Sequence, residues 1–254
     1  RRLIPQLQGG RELVITGFLK SVALLTHTLV SSLLIYLTGV ATRSGRVPSL
    51  IMDWWGRWFI RIGGWSVRVE GMEHLPEGGA ILVSNHQSLV DIPLLVSAVH
   101  RGAGFLAKRE LGRIPLFGKA MTCAGNLFID RADPRDAVHL MRDAVRAIRG
   151  GKLIVIFSEG TRSDDGTIGE FKPGAFYLAM KAGVPVLPVY IDGGCRALPK
   201  GSLIFRPAEL VVRILAPLPR EAVTSLSKQE IALEARRRIL LARDGEGARS
   251  GAVL

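Results

Sequence analysis

The apolar positions along the chain fall into two unlike patterns. From Ser21 to Thr42 runs a stretch of 22 residues without Lys, Arg, Asp or Glu, dense in Leu, Val, Ala and Ile. Wound as a helix it would reach roughly 33 Å, enough to cross a hydrocarbon core. Basic residues flank it on both sides: Arg1, Arg2, Arg11 and Lys20 before it, Arg43, Arg46, Arg57 and Arg61 after it. A lone crossing usually concentrates its positive charge on one side. Two readings therefore stand: a single spanning helix, or a re-entrant helical pair with both ends at one face and a polar kink at Thr26 to Thr28, around His27. No A-x-A-like site follows the run, which argues against a cleaved signal peptide. Trp54, Trp55, Trp58 and Phe59 follow closely, suited either to the headgroup level of a membrane or to a packed core.

From about Val67 the second pattern begins, that of a water-facing α/β domain. Ala80 to Ser84 and Leu153 to Phe157 read as short buried strands. Val184 to Ile191 reads as a third, whose Pro185 and Pro188 place part of it at a sheet edge or bulge. Arg135 to Arg149 has helical spacing, with Val138, Met141, Val145 and Ile148 on one face and arginines on the other. A second helix follows from about Ala175 to Lys181 and stops at Gly183. Ser227 and Glu230 form a capping box for a final helix, with Leu226 and Ile231 as its hydrophobic staple. Beyond Arg243 the chain turns Gly- and Ala-rich and reads as a frayed tail. Strands alternating with helices predict a sheet covered on both faces. The expected division is an N-terminal membrane-associated segment over 1–62, an α/β domain over 63–243 and a flexible tail over 244–254.

Composition narrows the function. The 254 residues are 48% hydrophobic with mean hydropathy +0.26, and the net charge is +12 with a pI near 10.5. That balance predicts an anionic partner: nucleic acid, anionic lipid or a phosphorylated substrate. Much of the charge flanks the apolar run and no reader motif for nucleic acid is present, so lipid is the simpler partner. Two distant cysteines, Cys123 and Cys195, exclude a disulfide scaffold or a cysteine-built metal site. The stretch Gly112 to Ala120 has one residue too many for a P-loop, and Ala120 stands where a magnesium-holding hydroxyl belongs. There is no GxGxxG, no GxSxG and no HExxH.

What remains lies at the strand ends. The first strand runs into Ser84-Asn85-His86-Gln87-Ser88-Leu89-Val90-Asp91-Ile92-Pro93. On a continuous helix His86 and Asp91 would sit about 140° apart. Pro93 disfavours helical geometry at Ile92, so the segment is a turn entering a helix, and a turn can fold Asp91 back onto His86. The pair would then fix the imidazole tautomer and leave the other nitrogen to accept a hydroxyl proton. The plainer alternative makes Asp91 a helix cap and His86 a satisfied, half-buried side chain.

Further blocks follow in order: Lys108-Arg109-Glu110-Leu111 with Ile114 to Gly118, Leu127-Phe128-Ile129-Asp130-Arg131, Phe157-Ser158-Glu159-Gly160-Thr161-Arg162-Ser163, and Val184 to Val189. With these, the chain from roughly Glu70 to Gly194 resembles the glycerolipid acyltransferases, most of all the 1-acylglycerol-3-phosphate acyltransferases. Ser158 replaces the proline usual before the glutamate. The resemblance implies an α/β acyltransferase-like sheet covered by helices, with an N-terminal helical membrane anchor. It implies His86 and Asp91 as the catalytic pair, and Arg131 and Lys108 at the acceptor's phosphate. Glu159, Gly160, Thr161 and Arg162 would shape the acceptor site, and the proline-rich block the donor side or an apolar wall. Arg131 and Arg162 suit a planar phosphate clamp; surface ion pairs with Asp130, Asp133 or Asp164 are the alternative. Backbone N–H groups near Gly160 are a candidate oxyanion site.

The resulting expectation is a membrane-associated O-acyltransferase that needs neither metal nor cofactor. Its acyl group would come from acyl-CoA or an acyl carrier protein thioester and its acceptor would be lysophosphatidate. Its partners would be membrane lipids and not nucleic acid, with the catalytic domain on the cytoplasmic side of the inner membrane. Acylation of another lyso-lipid (a lyso-ornithine lipid or lysophospholipid) and a non-catalytic lipid-binding role are the rivals.

Overall fold

The computed structural model describes residues 5–129 and 134–250. In chain order it forms helices α1 (Pro5–Thr42) and α2 (Arg46–Gly63), strand β1 (Ser66–Glu70), a short 3-10 turn, and strand β2 (Ala80–Ser84). Next come α3 (Asp91–Val99), β3 (Gly104–Lys108), α4 (Arg109–Gly112), α5 (Phe117–Cys123), β4 (Leu127–Ile129) and α6 (Pro134–Arg149). The chain then makes β5 (Leu153–Phe157), α7 (Gly174–Ala182), β6 (Val186–Asp192), α8 (Gly194–Ala197) and β7 (Glu209–Ile214). It finishes with α9 (Arg220–Ser225) and α10 (Lys228–Ser250).

The strands form one seven-stranded sheet in the order β1-β7-β6-β2-β5-β3-β4. Every pairing is parallel except β6 with β7. Five strands (β6, β2, β5, β3 and β4) therefore end at the same edge. The apolar runs are central because both of their faces are covered. Ala80, Leu82, Leu153 and Val155 pack toward α2 and α3, and Ile81, Val83, Ile154 and Ile156 pack toward α6, α7 and α10. The predicted strands at 80–84 and 153–157 and the helix stop at Gly183, left-handed at φ 67°, are as expected. So is the capping box: Ser227 N donates to Glu230 Oε2 at 2.8 Å, and Glu230 N to Ser227 Oγ at 3.2 Å.

The third strand meets half of its expectation. It begins at Val186 and lies between β7 and β2, away from either sheet edge. Pro188 is tolerated because its carbonyl accepts from Leu215 N at 2.9 Å, which turns its peptide edge toward β7, and the β6–β7 register begins one residue later at Val189–Ile214. Beyond Pro188 the pairing slips by one residue, Val186 meeting Leu218 in an antiparallel bridge, so the missing N–H falls beside a bulge, as the sequence allowed. Two further corrections concern the ends of the chain. No break occurs at Thr26 to Thr28, since α1 runs unbroken and the chain reverses at 43–45. Thr28 and His27 instead face α2: Trp55 Nε1 donates to Thr28 Oγ1 and His27 Nε2 to Trp55 O, both at 3.1 Å. Lys20 Nζ reaches Gly63 O at 2.8 Å, a cation at the negative end of α2. At the other terminus α10 continues past Arg243 to Ser250, so the tail expected there is largely helical.

Ile15–Thr42 is long and apolar enough to cross a membrane, by length and composition. Phe18, Leu19, Leu25, Leu29, Leu37 and Val40 all point away from the protein. The Trp cluster divides: Phe59 is buried and Trp55 packs against the core, while Trp54 and Trp58 are exposed.

Candidate active site

The shared edge of the five co-directional strands is where the polar residues gather, the usual ligand edge of an open α/β sheet. β2 ends at Ser84, and the side-chain amide of Asn85 locks this end to β6. Its Nδ2 donates to Ile191 O at 2.9 Å and its Oδ1 accepts from Ile191 N at 3.0 Å. The chain then turns, and α3 begins at Asp91. Asp91 Oδ2 accepts from His86 Nδ1 at 2.8 Å, Gln87 N at 2.6 Å and Ser88 N at 2.7 Å. The carboxylate is 1% exposed and the imidazole 14%. Asp91 thus braces the turn and holds the imidazole at once; it does not cap α3, which starts at Asp91 and has no side-chain hydrogen bond at its N-cap Val90. A carboxylate acceptor at Nδ1 puts the proton there and leaves Nε2 as the basic nitrogen. The ring lies flat on Phe157, with centroids 3.8 Å apart and planes at 11°.

Glu159 is turned inward, toward backbone. It is 8% exposed, and both oxygens take backbone N–H groups, Oε1 from His86 and Oε2 from Gly169, each at 2.9 Å. Burial pushes its carboxyl above the ordinary 4.5, with Asp91 adding to the rise; the two N–H bonds and His86 oppose it. Ser163 N donates to His86 O at 2.8 Å, so the loop after β5 grips the His86 backbone from both sides. The Gly160 N–H closes a turn onto Phe157 O at 3.1 Å, which makes that amide a turn donor. Thr161 is exposed and Arg162 half-buried. Asp164 pairs with Lys200 at 2.8 Å, and Lys200 also reaches Arg162 O at 3.2 Å, so the alternative ion pair of Arg162 with Asp164 does not form.

Lys108 ends β3 on the same edge, two strands from β2, or about 10 Å across the sheet. Arg131, with Asp130 and Asp133, lies outside the described residues. Among the described residues no three His, Cys, Asp or Glu side chains come together as a metal site. Two positions were not anticipated. Asn85 is a buried polar residue directly after an apolar strand, a visible signal. Gly194 is the other: a Cβ there would collide with Asp91 Oδ1. The Gly193-Gly194 pair after β6 was its only sequence trace.

A buried carboxylate holding a histidine at the strand ends, beside a laced loop, is an arrangement of an α/β protein that can do general-base chemistry. The family model described as Acyltransferase matches residues 66–192, half of the chain, and the chain belongs to that family. It is 39% identical over 140 residues to the chloroplastic 1-acyl-sn-glycerol-3-phosphate acyltransferase of Arabidopsis thaliana, covering 54% of this chain and 39% of that one. It is 34% identical over 163 residues to the human alpha 1-acyl-sn-glycerol-3-phosphate acyltransferase, covering 63% and 58%. The aligned part thus spans about two fifths to three fifths of these relatives. The crystal structure of the 1-acyl-sn-glycerophosphate (LPA) acyltransferase from Thermotoga maritima superposes with a TM-score of 0.68 at 28% identity, covering 88% of this chain and 98% of that one.

Proposed function

We propose that the chain is a membrane-associated O-acyltransferase that transfers a fatty acyl group from a thioester to 1-acylglycerol-3-phosphate, giving phosphatidate. The 2.8 Å contact of His86 Nδ1 with Asp91 Oδ2 carries the reading. His86 Nε2 removes the proton of the acceptor hydroxyl as its oxygen attacks the thioester carbonyl. A C–O bond forms, the tetrahedral intermediate collapses, the C–S bond breaks, and the thiolate leaves with the proton held by the imidazolium. Asp91 stabilises that cation. General-base help is worth roughly 10²–10⁴-fold, so positioning and oxyanion stabilisation supply the rest. The acceptor's phosphate is gripped by Arg131, with Lys108 and Arg162 at the same edge and Gly160 and Thr161 shaping the loop. Glu159 acts from behind, through the His86 backbone.

The names of the relatives support this acceptor, and the donor is acyl-CoA or an acyl carrier protein thioester. α1 and α2 form the anchoring segment (1–62) and residues 63–243 the catalytic domain. The chain reverses at 43–45 and Lys20 meets the end of α2, so Lys20 and Arg61 share the catalytic domain's end of the hairpin, which favours that domain on the cytoplasmic side of the inner membrane. A donor-by-acceptor activity matrix on the purified protein tests the whole. Lysophosphatidate should be acylated in a His86-dependent reaction. An enzyme that ignores lysophosphatidate but acylates a zwitterionic lyso-lipid would keep the chemistry and lose the named substrate.

A further inference from the structure

At the other end of α3, away from Asp91, α2 and β1 line an open cavity of about 700 Å³. On α2 the residues Trp54, Arg57, Trp58 and Arg61 follow i, i+3, i+4, i+7 spacing and so form one stripe along the cavity wall. The stripe is continuous: Trp54 and Trp58 have ring centroids 6.1 Å apart, and the Arg61 guanidinium lies 5.5 Å from the Trp58 ring centre. Trp54 also touches His27 of α1 at 5.2 Å, which joins the stripe to the exposed apolar helix. Val67 and Val69 of β1 give the cavity an apolar side, and His100, just past α3, lines it too. Arg57 and Arg61 are exposed and form no ion pair with an acidic side chain among the described residues.

Two guanidinium groups offer forks suited to phosphate oxygens, exposed indoles suit the headgroup level, and an apolar wall suits the glycerol and upper acyl chain. We propose that this cavity is a second lipid site, which takes the phosphate headgroup of an anionic phospholipid of the bilayer. α3 is nine residues long, which puts the cavity about 13 Å along the helix from the reacting pair. The inference rests on membrane association but not on the acyl-transfer chemistry, and its test reads binding alone.

Three of the four tryptophans line the cavity, so fluorescence reports on it directly. The full chain is reconstituted in bilayers carrying brominated phosphatidylglycerol or brominated phosphatidylcholine at equal fractions. Phosphatidylglycerol should quench preferentially, and R57Q/R61Q should lower its apparent affinity by roughly tenfold or more. R142Q/R146Q, which removes the same charge from exposed positions on α6, should keep the preference. No preference in the parent chain, or equal loss in both double variants, overturns the proposal. Full recovery by R57K/R61K would also overturn it, because diffuse charge would then suffice. Loss of the preference on adding inorganic phosphate at constant ionic strength would make the free ion the ligand and reject a lipid site.

Discussion

Glu159 holds His86 by its backbone: Oε1 accepts the His86 N–H at 2.9 Å, while the imidazole is left to Asp91. The β5 loop therefore sets where the histidine stands and α3 sets how its ring is turned. Glu159→Gln keeps the shape but replaces one acceptor with an NH₂ that faces a backbone N–H. A buried donor left unsatisfied costs about 1–3 kcal/mol. kcat should fall roughly 10–100-fold with KM for the acceptor little changed, because the base moves while the substrate contacts stay. A change confined to KM would return Glu159 to the acceptor site.

His86→Ala should abolish transfer while the protein folds normally, since the ring packs mainly on Phe157. Asp91→Asn should also be severely impaired. It cannot stabilise the imidazolium, and an NH₂ at the Oδ2 position would oppose the Gln87 and Ser88 N–H groups. Steady-state rates and circular dichroism on the two variants check this, and near-normal turnover in a folded His86→Ala protein removes the mechanism.

Gly194→Ala should act on the reaction through Asp91, which the new methyl would strike. A displacement of the carboxylate by an ångström can cost up to roughly 100-fold in rate. Gly78→Ala serves as the comparison, because a Cβ there meets nothing within 4 Å. Equal activity of the two variants would show that Asp91 has room to yield.

The site was legible wherever its chemistry lies in neighbouring residues. His86 and Asp91 are joined by one turn, and Pro93 announced that turn. Glu159 was visible as a residue but not in its role, because its partners Gly169 and His86 come together only when β5 aligns beside β2. The same limit hid β1, β7 and the central place of β6. Pro188 allows an edge or a bulge on local grounds, and only the pairing with β7 on both sides of it decides for the bulge. The polar residues at 26–28 were misread for a like reason, since their partner Trp55 lies across the helical hairpin.

Asp53 joins α2 to the loop between α3 and β3, its Oδ2 accepting from Gly102 N at 3.1 Å. Burial holds its carboxyl above the ordinary 3.8, and the Gly102 bond, with His100 when protonated and the cations Arg57 and Lys152, only partly offsets this. A raised folded-state value means that the stability contribution is complete below 3.8 and is lost as pH rises through the folded value. Asp53→Asn stays neutral and escapes that loss. Its stability relative to the parent should therefore improve as pH rises from 3.8 to neutral, read as melting temperatures across a pH series. A difference that is flat, or that shrinks with pH, would show the cations to dominate.

The acceptor assignment is tested at Arg131. If its guanidinium grips the phosphate, Arg131→Ala should hurt lysophosphatidate far more than a neutral monoacylglycerol. A charge-assisted contact of this kind is worth about 1.5–3 kcal/mol, or roughly 10–100-fold in kcat/KM, and the neutral acceptor has no phosphate to lose. Arg131→Lys should recover only part, because a point charge cannot reproduce the planar fork. Lys108→Ala, at the exposed end of β3, should show the same selectivity at smaller size, since a single ammonium offers no bidentate contact. Equal losses on both acceptors would make Arg131 a structural residue. The phosphate would then have to be held by Lys108 and Arg162, and the double variant of those two would carry the selectivity instead.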